Sequence, residues 1–179
     1  MSEFRKITPE EFSGNPFTLI GKDWMLVTSA DPGEGTAGGA DYNTMTASWG
    51  GMGILWGKPV AFVFIRPQRH TFGFTERNDR MTLSFFGGEY INALNFCGTK
   101  SGREYDKANE CGLTPVFDET EHGRALWFAE AKLVMKVKKL YAKPFDPEAF
   151  TDADARACYG DDDFHTVYVC AVEEILAKD

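Results

Sequence analysis

"NTMTASWGG", residues 43–51, places small hydroxyl side chains, one Trp and two glycines where a core strand would be expected. A few positions later the apolar run "KPVAFVFI" (58–65) ends in "RPQRHT" (66–71), which brings two Arg close to a Pro and a Thr. Two interpretations fit these segments. They form a half-buried strand and a solvated turn, or they line a pocket for a flat, phosphorylated ligand.

The composition indicates a folded protein with a substantial core. The chain has 179 residues, of which 43% are hydrophobic and 14% aromatic, and this excludes a disordered or low-complexity protein. The formal net charge of −8 argues against a nucleic-acid-binding surface. No linker or internal repeat divides the chain, so we expect a single domain over residues 1–179.

The N-terminal segment and the cysteines predict a cytoplasmic protein. Residues 1–12 contain no apolar core of a signal peptide, and no run approaches the ~18 apolar residues that a membrane span needs. The four Cys lack C-x-x-C spacing and are expected to be reduced, mostly buried thiols. The three His lie far apart in the sequence, so we expect no metal site.

Hydrophobic patterning predicts an all-β protein with a few inserted helices. In residues 132–138, Leu133, Met135 and Val137 fall on one face of the predicted strand and should point to the core. Lys132, Lys136 and Lys138 fall on the other face. A Gly-rich connection is expected at 31–41. Many strands separated by short helices favour a β-barrel over a βαβ succession. Strands are expected at residues 23–30, 43–49, 59–66, 80–87, 124–141 and 164–175.

Three of the predicted helical segments begin near residues 71, 101 and 147. Thr71 is the predicted N-cap of the first. Ser101 and Glu104 form an S-x-x-E capping box that would begin the second, and Gly112 would end it. Residues 147–160 predict a helix or helical turns.

Arg66 and Arg69 are candidate phosphate ligands. Guanidinium groups bind phosphate through two parallel hydrogen bonds, and a helix start at Thr71 would add backbone N–H groups and the positive end of a helix dipole. The helix predicted from Ser101 offers the same chemistry together with Lys107. The alternatives are a solvated turn and an ordinary amphipathic surface helix.

The residues of the opening stretch suit a ring system with several hydrogen-bonding edges. Hydroxyl groups and unobstructed backbone amides would bind its heteroatoms, and Trp49 would contact its face or edge. The alternative is a half-buried strand with Trp49 in the core.

Together with "LSFF" (83–86) and "GTKSGREYDK" (98–107), these segments resemble the flavin reductase family with the FMN-binding split-barrel fold, and within it the flavoredoxin-like branch. The resemblance extends over about residues 24–172. It implies a six-stranded Greek-key barrel, a homodimer and FMN bound near the subunit interface. It also implies reduction of flavin by NADH or NADPH, or electron transfer through bound FMN.

The resemblance implies three groups of cofactor-binding residues. The group around the ring system and ribityl chain comprises Asn43, Thr44, Thr46, Ala47, Ser48 and Trp49. The group at the ribityl-phosphate end comprises Arg66, Pro67, Arg69 and Thr71. A third group, which brings a cation to the phosphate, comprises Ser101, Gly102 and Lys107.

A late motif of the family appears here as "DFHTVYVCAV" (163–172). It keeps His165, whereas Phe164 and Cys170 stand where the family has Asp and Gly. His165 is expected either to contact the nicotinamide or substrate, or to be a structural His. Hydride transfer to a flavin requires stacking, orientation and exclusion of water, so no acid–base set is needed and none of the residues is assigned as catalytic.

Three functions remain as alternatives at this point. The chain is an NAD(P)H-dependent flavin reductase with bound FMN, a flavoredoxin-like electron carrier reduced by a redox partner protein, or a non-catalytic flavin-binding module. The split-barrel fold accommodates all three. The final acceptor of a reductase is free flavin, a metal complex or a partner monooxygenase.

Overall fold

Ten strands and five short α-helices make up the described part of the chain. The computed structural model describes residues 3–31, 42–120 and 123–178, so the connection predicted at 31–41 lies, apart from its first residue, outside the described residues. The strands are β1 (Arg5–Ile7), β2 (Met25–Ala30), β3 (Tyr42–Ala47), β4 (Gly50–Leu55), β5 (Lys58–Ile65), β6 (Arg80–Phe85), β7 (Pro115–Thr120), β8 (Gly123–Phe128), β9 (Leu133–Pro144) and β10 (Thr166–Ala177). The helices are α1 (Pro16–Gly21), α2 (His70–Arg77), α3 (Ile91–Thr99), α4 (Lys107–Cys111) and α5 (Ala153–Ala157).

Eight of the strands form one antiparallel sheet that is rolled into a barrel. Its order is β3-β2-β6-β9-β10-β5-β4, and β1 pairs with the end of β10. Strands β3 and β4 stand at opposite ends of this order, but in the sequence only two residues, Ser48 and Trp49, separate them. The three Cα–Cα steps from Ala47 to Gly50 span at most about 11 Å. The two ends of the sheet therefore approach each other, and Trp49 lies at this seam.

The inner face of the sheet carries the main core. Alternate residues of its strands point inward and include Met25, Val63, Leu83 and Met135, which are nearly or fully inaccessible to solvent. The hairpin of β7 and β8 forms a separate two-stranded sheet. Its residues pack with α3 and α4 in a second apolar cluster on the outer face of the barrel.

The prediction of an all-β protein with a few inserted helices agrees with these elements. The core positions Leu133, Met135 and Val137 are confirmed. The single strand predicted at 124–141 is wrong, because residues 129–132 interrupt it. β8 pairs with β7, whereas β9 pairs with β6 and β10, so the turn transfers the chain from one sheet to the other.

Strand β4 was not predicted, and together with β1, which was not predicted either, it raises the number of strands in the sheet from the six that the resemblance implies to eight. Its burial pattern is mostly exposed or intermediate, so the hydrophobic alternation of a core strand is missing. It pairs with β5 through a tight turn at Trp56 and Gly57, both of which have positive φ, 52° and 69°. Two consecutive residues with positive φ are typical of a type I′ hairpin turn.

No helix in residues 3–31, 42–120 and 123–178 is both long and apolar enough to cross a membrane. The cysteines are free thiols: Cys97 and Cys170 are buried, Cys111 is partly buried and Cys158 is exposed.

Candidate functional site

A small cavity opens at the barrel seam, where β3, β5 and β10 meet. Its volume is about 180 Å³. Trp49 lies at the edge of this cavity and is 47% exposed, which excludes the alternative that it is a core residue. The indole centroid lies 5.2 Å from that of His165, with the rings tilted by 52°. The cavity is lined by Met45, Thr46, Ala47, Ser48, Trp49, Phe64, Arg66, Arg69 and His165.

The polar side chains of β3 form hydrogen bonds with neighbouring elements of the fold. The hydroxyl oxygens of Thr44 and Thr28 are 2.9 Å apart, and the Thr46 hydroxyl donates to the Leu94 carbonyl of α3. The Asn43 amide donates to the hydroxyl of Thr71 at 2.7 Å. These side chains hold β3 against its neighbours, so β3 offers the cavity small side chains and backbone groups.

Thr71 is not the N-cap of α2, contrary to the sequence prediction. The helix begins at His70, Arg69 occupies the N-cap position, and no side chain caps this helix start. Thr71 is fully buried inside the first turn, where its hydroxyl accepts the bond from Asn43. The Phe72 amide donates to the Arg69 carbonyl at 3.0 Å. The amides of His70 and Thr71, to which no side chain is bonded, keep the anion-binding character that the prediction required.

Ser101 does not begin a helix either. Residues 102–104 form a turn in which the Ser101 hydroxyl accepts a bond from the Arg103 amide at 3.2 Å. Helix α4 begins at Lys107, where the carboxylate of Asp106 is the N-cap, and it ends as predicted at Gly112, whose φ is 62°. Asp106 takes the role that the capping box assigned to Ser101, because its carboxylate reaches the amide of Asn109.

Gly102 lets this turn approach β3 closely. A Cβ added at Gly102 would lie 1.8 Å from the Oδ1 of Asn43, a distance that no packing tolerates. Because Gly102 has no side chain, the turn in the "SGREYDK" segment can pack directly against Asn43 of β3. Gly102 therefore has a structural role at this contact, and Ser101 has one within the turn itself.

Two cations converge on one backbone carbonyl behind the cavity. The ammonium of Lys107 donates to the carbonyl oxygens of Thr44 and Cys97, both at 2.9 Å. Arg69 donates to the same Cys97 oxygen at 3.3 Å. Among the residues that the structure describes, neither Arg69 nor Lys107 forms an ion pair with a carboxylate. A buried Lys beside a half-buried Arg, both without a counter-charge, is the pattern of an anion site.

The electrostatics of these groups agree with that pattern. Burial lowers the pKa of Lys107 to about 8, and the nearby Arg69 contributes to the shift. Burial, followed by the charge of Arg66, lowers the pKa of Arg69. Burial also lowers the pKa of His70, and the charges of Arg103 and Lys107 add to this effect. The positive charges thus destabilise the protonated forms of the neighbouring groups, and a bound anion would stabilise those forms.

Arg66 connects the site to the segment between β9 and β10. It donates to the carbonyl of Cys158 at 3.0 Å and lies 3.8 Å from the carboxylate of Asp163. Its guanidinium carbon is 5.1 Å from the centroid of the Tyr159 ring. The neighbouring Pro67 is exposed in the turn between β5 and α2.

His165 forms the wall of the cavity opposite β3. Its Nδ1 lies 2.8 Å from the hydroxyl of Tyr159. Burial lowers the pKa of His165 to about 4, and Arg66 and Arg69 contribute to the shift, so the imidazole is neutral at pH 7. Tyr159 and Phe64, which contact this ring, were not found by sequence reasoning. Neither lies in a recognisable motif, and the topology of the β9–β10 connection is what brings Tyr159 here.

The structure divides the predicted residues between two cavities. Asn43, Thr44, Gly102 and Lys107 line a second one of about 610 Å³, beside β3 and α4. Arg66, Arg69, Trp49 and His165 do not contribute to it. Both cavities have aromatic and Arg residues in their lining. The smaller one is the better candidate, because Arg66 and Arg69, the two predicted phosphate ligands, line it together with Trp49.

Comparisons with known proteins support the fold. No family model matches the chain, and no curated protein matches it. Solved structures do match. Flavoredoxin of Desulfovibrio vulgaris aligns at 20% identity over 87% of this chain and 69% of its own, with a TM-score of 0.64. An FMN-binding domain of a flavin reductases-like enzyme from Shewanella baltica aligns at 12% identity over 99% and 79%, with a TM-score of 0.65. Nitrilotriacetate monooxygenase component B from Bacillus cereus aligns at 15% identity over 97% and 81%, with a TM-score of 0.63.

These structures confirm the predicted fold class. The chain has the all-β split-barrel fold of flavoredoxin and of FMN-binding, flavin reductase-like proteins, as the sequence motifs predicted. At these identities the likeness concerns the fold. The activity has to be argued from the site itself.

Proposed function

We propose that this protein binds FMN at the barrel seam and acts as a flavin oxidoreductase, passing electrons from NADH or NADPH to a flavin or another acceptor. The observation that carries the proposal is the pair Arg69 and Lys107. Both cations point at the Cys97 carbonyl, and in the described residues no carboxylate pairs with either of them. A phosphate monoester supplies the missing negative charge.

The residues at the seam fit the parts of FMN. Arg69, with the uncapped start of α2, would hold the phosphate, and Lys107 would add its charge from behind the Cys97 carbonyl. Residues 46–48 are small and leave backbone groups accessible to the polar edge of a ring system. Trp49 supplies a flat apolar surface beside them.

When bound, FMN accepts a hydride or electrons and passes them on. The chain's own residues bind and orient the flavin and restrict the access of water. Arg66 stabilises the segment that closes one side of the site, through its bond to the Cys158 carbonyl and its contact with the Tyr159 ring. His165, which is neutral, adds no charge to the cavity wall.

We also propose that the site is completed by a second copy of the chain. The cavity of about 180 Å³ is smaller than the roughly 300 Å³ at which small-molecule sites begin. Trp49 at the seam, and Ile54 and Trp56 on the β4–β5 hairpin, leave large apolar side chains exposed. Light scattering at micromolar concentration should give a dimer mass, and a monomer mass would contradict this part of the proposal.

The names of the structural neighbours support a flavin as cofactor. They include an FMN-binding domain of a flavin reductases-like enzyme and a flavoredoxin. The choice of a nicotinamide donor over a protein donor rests on the reductase names.

The purified protein tests both the cofactor and the donor. It should be yellow and release about one FMN per chain on denaturation, and added FMN should raise the melting temperature of the apoprotein. Mixing the holoprotein anaerobically with NADH or NADPH should bleach the flavin rapidly. Bound FMN that is not bleached would favour the flavoredoxin-like carrier, and absence of FMN binding would refute the proposed function.

A further inference from the structure

The hydroxyl of Tyr159, which does not line the seam cavity, lies 2.8 Å from Nδ1 of His165, which does line it. We infer that Tyr159 is a positioning residue that holds His165 as a single neutral tautomer, with the proton on Nε2 and that N–H facing the Trp49 cavity. His165 is then a fixed hydrogen-bond donor for an acceptor atom of the bound ligand, such as a carbonyl oxygen or an unprotonated ring nitrogen. The identity of that ligand rests on the proposed function, whereas the tautomer does not.

The first step concerns the direction of the bond between Tyr159 and His165. The hydroxyl oxygen and Nδ1 are 2.8 Å apart, and Tyr159 is 3% exposed. Among the described residues the hydroxyl has no other acceptor. If Nδ1 carried the proton, the buried phenolic proton would have no partner, which is costly. The hydroxyl of Tyr159 therefore donates its proton to Nδ1 of His165, which gives the buried phenolic proton an acceptor.

The second step concerns the charge state of the imidazole. The charged groups near the ring are Arg66 from the end of β5, Arg69 from the start of α2, and Asp163 from the β9–β10 connection. Asp163 lies 3.8 Å from Arg66, so its charge is directed at that guanidinium. Burial and the two Arg hold the pKa of His165 near 4. At neutral pH the ring therefore has one proton, and the bond from Tyr159 leaves Nε2 as its place.

The third step concerns where the Nε2–H points. His165 lines the seam cavity together with Trp49 and Phe64, whereas Tyr159 does not. Since Nδ1 faces Tyr159, the opposite edge of the ring faces the cavity. In the described residues Nε2 has no hydrogen-bond partner, and it is not fully shielded from solvent. It is therefore an accessible donor without a partner in the protein.

The packing around Tyr159 explains why it can act as a rigid support. Its ring stacks on Phe164 at 5.0 Å with an interplanar angle of 23°, and it contacts Phe150 and Phe145. Arg66 lies against the ring. These contacts fix the position of the hydroxyl, so the preference for one tautomer does not depend on a mobile side chain.

The test is nitrogen NMR of the full chain labelled with ¹⁵N-histidine. The chain has three His, so the His165→Gln variant assigns the resonances. In the wild type at pH 7, Nδ1 of His165 should have the shift of an unprotonated, hydrogen-bonded nitrogen and Nε2 that of a protonated one. The reverse pattern, or an averaged one, would overturn the inference.

The variant Tyr159→Phe removes the hydroxyl and keeps the ring. It should replace the single tautomer by a mixture, because the hydroxyl that donates to Nδ1 of His165 is gone. The matched control is Tyr168→Phe, which removes a buried hydroxyl bonded to Glu76. This control should lower the melting temperature without changing the tautomer. An unchanged tautomer in Tyr159→Phe would show that Tyr159 only packs.

Two further measurements keep the test decisive. If Tyr159→Phe does not fold, the wild-type spectrum still decides the tautomer and the direction of the bond. Addition of FMN to the wild type should shift Nε2 of His165 more than Nδ1, and a shift confined to Nδ1 would overturn the donor role. Failure of FMN to bind would count against the proposed function, while the tautomer result would stand.

Discussion

Replacement of Arg69 by Ala tests whether the cations at the seam hold a phosphate. In the free protein Arg69 donates one hydrogen bond, to the Cys97 carbonyl at 3.3 Å. That carbonyl keeps its shorter bond from Lys107 at 2.9 Å after the change. The variant therefore leaves no buried acceptor unsatisfied, and we expect it to fold with a melting temperature close to that of the wild type.

The expected loss in affinity follows from the number of bonds removed. A hydrogen bond between a guanidinium and a phosphate contributes about 1.5–3 kcal/mol. Loss of one such bond corresponds to roughly a 10- to 150-fold rise in the Kd for FMN. Riboflavin lacks the phosphate, so its Kd should change by less than about threefold. The ratio of the two Kd values is the diagnostic quantity.

The assay is a titration of apoprotein with FMN and with riboflavin, followed by quenching of flavin fluorescence. Arg77→Ala is the matched control, because Arg77 is on the same helix but pairs with Asp31 away from the cavity. It should leave both Kd values unchanged. In Arg69→Ala the pKa of Lys107 and that of His165 should also rise, since the charge of Arg69 lowers both in the wild type.

Equal FMN affinity in Arg69→Ala and wild type would refute the reasoning. It would make the "RPQRHT" segment a surface turn whose Arg residues serve the fold. An equal loss for FMN and riboflavin would also refute it, because the cation would then act on the ring system or on the fold and not on the phosphate.

Three more outcomes are expected. Trp49→Ala should weaken FMN and riboflavin alike, while the melting temperature stays near the wild-type value because the side chain is half exposed; a large loss of stability would contradict its place at the seam. Gly102→Ala should lower the melting temperature strongly, since its Cβ would lie 1.8 Å from Oδ1 of Asn43, and Gly53→Ala, which meets no atom within 4 Å, should not. Burial lowers the pKa of Lys107 from 10.5 to about 8, so between pH 8 and 10.5 the unfolded state binds more protons than the folded state. The free energy of unfolding should therefore rise with pH over this range. Denaturant titrations of Lys107→Met at pH 8 to 10.5 should not show this rise.

The fold was predictable from the sequence where hydrophobic alternation was strong. Leu133, Met135 and Val137 face the main core as expected, while Lys136 and the buried Val134 lie on the other face of the strand. The pattern failed at 124–141, because residues 123–128 and 133–144 are both apolar and strand-like while belonging to different sheets. Pairing between distant strands decides where such a run is divided, and pairing cannot be seen in a local window.

The candidate site was predictable as a set of residues but not as a set of contacts. Small hydroxyl residues at 43–46 look like ligand donors in sequence, whereas the structure shows the side chains of Asn43, Thr44 and Thr46 bonded to other parts of the protein. A polar side chain on a buried strand must find a partner within the fold, and the partners here come from β2, α2 and α3. Sequence order does not show which partners will be near.

The change from Asp to Phe164 in the late motif, which looked like a departure from the resemblance, has a structural explanation. Phe164 is buried and stacks on Tyr159, whose hydroxyl reaches Nδ1 of His165. A carboxylate in that apolar surrounding would be costly to bury and would stabilise a protonated imidazole. With Phe164 in its place, an aromatic cluster supports a neutral hydroxyl beside the imidazole. Burial, together with the positive charges of Arg66 and Arg69, lowers the pKa of His165 and keeps the ring uncharged. The substitution therefore changes what His165 can do: it becomes a neutral donor in a cavity whose charge comes from the arginines alone.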